Sequence, residues 1–138
     1  MKKLTILITL LIVIQFIPYG KNHTNPNIIQ EPNWDSSQTK QLFLKTCGDC
    51  HSYETKYPWY ADIAPLSWVV QFDINLGRKH LNISSFDVKD IEPGKVAITE
   101  LEENEMPPLP YKLVHSKSKL SYDEKIQLIK GLKNTFEN

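Results

Sequence analysis

The chain has 138 residues with 16 basic and 16 acidic side chains, a formal net charge of +0, so it has no basic excess for nucleic acid and no acidic tail. Arg78 is its single arginine, and proteins that read phosphate or nucleic acid lean on the planar guanidinium fork, which argues against that class again. Both cysteines, Cys47 and Cys50, fall inside one short motif, which is the sharpest compositional fact.

In chain order, Lys2 and Lys3 precede an apolar run from Leu4 to Ile17, interrupted only by Thr5, Thr9 and Gln15. A charged start followed by an apolar stretch predicts an N-terminal hydrophobic helix, residues 1–19, acting as signal peptide or membrane anchor. It is short beside the roughly 20 residues of a full span. No small-x-small cleavage site follows, since the run ends Gln15-Phe16-Ile17-Pro18-Tyr19-Gly20. Anchoring to the inner membrane is therefore expected over cleavage, with Lys2 and Lys3 snorkelling and Tyr19 at the interface. Either route puts the rest of the chain in the periplasm. Residues 20–35 are polar, with Pro26, Pro32, Asn22, Asn25, Asn27 and Asn33, and read as a tether holding the domain off the membrane.

Residues 36–138 read as one all-α domain, with no stretch alternating well enough for a strand. Asp35 with Gln38 resembles a capping box opening a helix over 36–47, with Leu42, Phe43 and Thr46 on its apolar stripe. The aromatic, proline-broken run around Tyr53, Tyr57, Trp59 and Tyr60 predicts an ordered loop. Pro65 suits a helix first turn, and Leu66, Val69, Val70 and Ile74 predict the buried face of a helix reaching His80, with Gly77 a weak point in it. Residues 81–94 read as irregular and 95–104 as a short helix. Met106-Pro107-Pro108-Leu109-Pro110 is expected to be non-helical. Ser121 and Glu124 form a capping box for a last helix, with Ile126, Ile129, Leu132 and Phe136 as its buried stripe.

The chemistry concentrates at Cys47-Gly48-Asp49-Cys50-His51. Two thiols at i and i+3 face one side of a helical turn, so both can form thioethers to the vinyl groups of one porphyrin. The histidine that follows then reaches the iron. The motif predicts one covalent haem c, with Cys47 and Cys50 as anchors and His51 as proximal ligand. A zinc site lacks a second ligand pair, a thioredoxin-like dithiol lacks a βαβ frame, and a plain disulfide leaves His51 unexplained. Beyond Met1, Met106 is the only methionine, on a stiff proline-rich segment, and is the candidate sixth ligand. His80 and His115 are its rivals. Arg78 is a candidate partner for a haem propionate, and Trp59, Tyr60 and Trp68 are candidates to line the crevice.

These residues resemble a family of small bacterial haem-binding domains carrying one Cys-x-x-Cys-His motif. The likeness rests on residues 47–60 (CGDCHSYETKYPWY), 63–69 (IAPLSWV), 77–81 (GRKHL) and Glu105-Met106-Pro107-Pro108. It extends over about residues 38–133, without Asp35, Leu42 or the tether. The family is similar to mono-haem cytochrome c in fold, often with an N-terminal hydrophobic anchor. The resemblance implies that Cys47, Cys50 and His51 bind haem and that Met106 is the distal ligand. The expected role is electron transfer between unidentified redox proteins, not catalysis. The alternative is a haem enzyme of peroxidase type, which requires an open distal site.

Overall fold

The computed structural model describes residues 1–137. Among them the only regular elements are helices: α1 (Lys2–Val13), α2 (Ser37–Thr46), α3 (Gly48–His51), α4 (Leu66–His80), α5 (Ile91–Glu102), α6 (Leu109–Val114) and α7 (Tyr122–Phe136). Four short 3-10 turns punctuate them, at Ile14–Phe16, Trp59–Asp62, Val88–Asp90 and Ser116–Ser118. One isolated bridge between Gln30 and Ser85 is the sole strand-like pairing there.

The expectation for the N-terminus needs correction. Residues 2–13 are helical, but no described helix is long and apolar enough to cross a membrane. At about 1.5 Å per residue, α1 spans roughly 18 Å against a hydrocarbon core of about 30 Å. A 3-10 turn at Ile14–Phe16 follows, and Ile17, just before Pro18, is already extended. A hydrophobic helix leading into the domain as a membrane span is therefore not part of this fold.

Residues 20–35 do not hang free. Gln15 Nε2 donates to the Ala64 carbonyl at 2.8 Å and Gln15 Oε1 accepts from Ala64 N at 2.9 Å. Gly20 follows with φ +77, the left-handed region, and a Cβ there would collide with the Ser67 carbonyl. His23 stacks on Tyr57 with centroids 4.3 Å apart, and Asn25 Nδ2 donates to the Thr55 carbonyl at 2.9 Å. Ile29 N donates to the Ser84 carbonyl at 2.8 Å and Phe86 N to the Gln30 carbonyl at 2.9 Å. The segment is thus a strap along the domain. Its amides and backbone are spent on loop carbonyls, where a tether would leave them to water.

α2 opens on Ser36, whose Oγ accepts from Thr39 N at 3.1 Å, so the cap is Ser36 and not Asp35. α2, α5 and α7 pack around one core of Leu42, Phe43, Ile98, Leu101, Leu128, Ile129, Leu132 and Phe136, closed by Leu81 and Ile83 after α4. α7 starts on the expected capping box, Ser121 with Glu124. Ile126 is half exposed, however, and Leu128 takes its place inside, because α7 lies between α2 and α5 and buries a face centred on Leu128 and Leu132. α5 begins earlier than its apolar spacing indicates, at Ile91, taking Pro93 into its first turn. α6 absorbs Leu109 and Pro110, a correction of the same origin, since a first turn does not use the missing N–H of Pro110.

Candidate functional site

The haem motif sits where α2 ends and α3 begins. Cys47 is the C-cap of α2, its N–H bonded to the Phe43 carbonyl at 2.7 Å, and its own carbonyl accepts from His51 N at 3.0 Å. Cys50 and His51 lie on α3. Both thiols are free. Burial, followed by the neighbouring Cys50, pushes the Cys47 thiol up to about 12. Burial and the negative charges of Asp49 and Asp73 push Cys50 up to about 12, against the opposing Arg78. Neither thiol has the lowered pKa that a thioredoxin-like nucleophile needs. Among the described residues no group of three or more His, Cys, Asp or Glu converges as a metal cage.

α4 lies directly over the motif. A Cβ on Gly77 would sit 2.8 Å from Cys50 Cβ, so only glycine allows this approach. The apparent weak point of α4 is its contact with the motif. The buried face of α4 is Ser67, Ile74 and Gly77, whereas Leu66 and Val69 are exposed at 48% and 55%. Small residues are buried because the strap and α3 press close to the helix backbone.

His51 is held at both ends. Its Nδ1 lies 2.9 Å from the Leu81 carbonyl, and its own carbonyl accepts from Ile83 N at 3.0 Å. A carbonyl can only accept, so Nδ1 carries the proton and Nε2 keeps the lone pair a metal requires. Burial lowers the His51 pKa, which favours the neutral, ligating form. Two free thiols one helical turn apart beside a neutral, oriented imidazole fit a haem held through both thioethers and the iron.

Arg78 is committed elsewhere than to a propionate. Its Nε donates to the Ser52 carbonyl at 2.9 Å, and one terminal nitrogen reaches Thr55 Oγ1 at 3.0 Å and Asn25 Oδ1 at 3.3 Å. It braces the loop that leaves His51. Trp59 is 76% exposed, its ring set edge-on to Tyr60 at 5.8 Å. Trp68 is half-buried with its Nε1 shielded and unpartnered. His80 is exposed at the end of α4. His115 lies between two tyrosines, stacked on Tyr111 at 4.1 Å with Nε2 3.2 Å from Tyr60 Oη.

Met106 follows α5, its N–H bonded to the Glu100 carbonyl at 3.2 Å. It is 38% exposed and lines a cavity of about 310 Å³ with Leu101, Pro107, Leu109, Leu113 and Leu120. Cys47, Cys50 and His51 do not border that cavity. The link between the Met106 segment and the motif is a side-chain pair that spacing did not single out. Tyr111 Oη on α6 donates to Asp49 Oδ2 at 2.6 Å. Asp49 also accepts from Lys56 N at 2.9 Å, and its carbonyl accepts from Thr55 Oγ1 at 2.6 Å. Its place inside the motif was the only signal of this role.

A family model described as "Haem-binding domain" matches residues 9–134. The match is longer than the likeness carried by the motifs and takes in the strap and the second half of α1. No curated protein and no solved structure matches the chain. With nearly its whole length accounted for, the chain belongs to the haem-binding domain family, and haem is its cofactor.

Proposed function

We propose that this haem-binding protein is a mono-haem c-type cytochrome that transfers electrons outside the cytoplasm. The observation carrying this reading is the His51 ring, turned by the Leu81 carbonyl beside two free thiols one helical turn apart. In it Cys47 and Cys50 form the thioethers and His51 is the proximal ligand. Met106, the lone methionine outside the start codon, is the distal ligand. When bound, the haem supplies a one-electron iron couple, and a thioether opposite imidazole raises its potential. The protein's own part is to keep His51 neutral and oriented, to keep both anchors on one helical face, and to shield the motif beneath α4 and α6. Lys2, Lys3 and the apolar run to Ile17 support export, because haem attachment to such a motif belongs to the oxidising side of the membrane.

Carbon monoxide separates carrier from enzyme, since it binds ferrous iron only at an open position. The reduced wild-type holoprotein is expected to refuse it. Met106→Ala is expected to bind it and to lose a sizeable part of the roughly 0.8 V range that axial ligation spans. A wild type that takes up carbon monoxide as readily as Met106→Ala has an open distal site, and the peroxidase reading then replaces the carrier.

A further inference from the structure

α6 is a single short helix whose apolar side chains Leu109, Leu113 and Val114 are 65%, 69% and 64% exposed. Little core packing holds it, yet it follows Met106 by two residues and so decides where the methionine can point. Hydrogen bonds with Asp49 and Tyr60 reach it instead, and the Thr46 hydroxyl pins the turn that follows by donating to the Ser118 carbonyl. Tyr111 Oη donates to Asp49 Oδ2 at 2.6 Å, the Tyr111 ring stacks on His115, and His115 Nε2 meets Tyr60 Oη at 3.2 Å. The acceptor is inside the haem motif, between the two anchor cysteines, and is itself immobilised by Lys56 N at its other oxygen. The path from Asp49 through Tyr111 to Met106 therefore runs from the motif to the distal segment, and Tyr111 to Asp49 is the hydrogen bond that ties α6 to a residue of the motif itself.

We propose that Asp49 and Tyr111 form a latch that positions the Met106 segment on the haem, so that closure of the distal site depends on this hydrogen bond. The inference rests on the His51/Met106 reading above, and it makes Asp49 and Tyr111 positioning residues that act through Met106. Burial raises the phenol's pKa and its bond to Asp49 raises it further, so Tyr111 stays protonated and remains the donor across the neutral range. The acceptor is a carboxylate, which makes this bond stronger than a neutral pair. Tyr111→Phe removes the donor while keeping the ring that stacks on His115. Asp49→Asn keeps an acceptor oxygen at the same place, and Asp49→Ala removes it.

The test measures carbon monoxide binding to the reduced holoprotein in wild type, Tyr111→Phe, Asp49→Asn and Asp49→Ala. Hydrogen exchange at the Lys112 and His115 amides, which close α6 onto the Pro108 and Tyr111 carbonyls, is followed alongside. The latch predicts that Tyr111→Phe and Asp49→Ala bind carbon monoxide about 10-fold or more faster than wild type, as expected for losing a bond to a charged partner. Both should also lose α6 amide protection, and Asp49→Asn should lie closer to wild type. Unchanged exchange at the amide of buried Phe43 within α2 shows that the variants remain folded. A wild type that refuses carbon monoxide together with a Tyr111→Phe that refuses it equally overturns the latch and leaves the ligand reading standing. A wild type that binds it freely overturns the ligand reading, and the latch with it.

Discussion

Leu81 and Ile83, just past the end of α4, hold His51 by ring and by backbone, so the imidazole is aimed before any haem arrives. Such preorientation fixes the tautomer, and the buried setting keeps the ring uncharged at neutral pH. Elsewhere at this scale most ion pairs lie at the surface and are individually weak, with Lys40 to Glu31 the part-buried one. Lys45 Nζ to Glu124 Oε1 at 2.6 Å is one that also carries a cap, because Glu124 Oε2 accepts from Ser121 N at 2.8 Å. The Lys45 hydrogen bond, then the Ser121 backbone bond, holds the Glu124 carboxyl below 4.5. A folded pKa below the unfolded one stabilises above the unfolded value and is lost as pH falls. Glu124→Gln keeps the cap acceptor and removes the charge. It should melt slightly below wild type at pH 7, and the gap should close as pH drops under 4.5; a gap that widens in acid contradicts the pairing.

Among the helices, α4 does the most for the site, and through its smallest residue. Gly77→Ala would place a methyl against Cys50, and α4 or α3 must retreat. Overpacking of this kind costs about 1–3 kcal/mol. The variant should therefore show a lower melting temperature and a smaller fraction of chains carrying haem; normal stability and full loading would mean that α4 does not bear on the motif. Sequence spacing made α4 legible as a helix and placed Ile74 inside correctly, but it misplaced Leu66 and Val69. Leu66 and Val69 looked interior because they are apolar, and burial went to Ser67 and Gly77 because close approach favours small side chains. For α7 the capping box at Ser121 and Glu124 was local chemistry and therefore readable. α6 was not, because its first turn contains Pro110 and its anchor, Asp49, is far away in sequence. The motif itself is a matter of adjacent residues, which is why Cys47, Cys50 and His51 stood out, whereas Leu81 and Tyr111 come to them only through the fold.

At the scale of the molecule, residues 15–30 are bound to the body at Ala64, Thr55 and Ser84. Composition gave the strap a polar character, and that character served pairing as well as solvation; only the contacts distinguish the two. α1 has no buried residue, consistent with a segment whose role lies outside the packed body. The body is one core of α2, α5 and α7 with α3, α4 and α6 gathered at the motif, and the proposed function turns on whether haem is joined to the chain there. The most direct measurement is the mass of the denatured polypeptide after acid-acetone extraction of protein matured with haem supplied outside the cytoplasm. The wild type should retain one haem per chain, Cys50→Ala should retain little, and the extract should be colourless. Wild-type polypeptide that loses its haem to the solvent would contradict covalent attachment at Cys47 and Cys50.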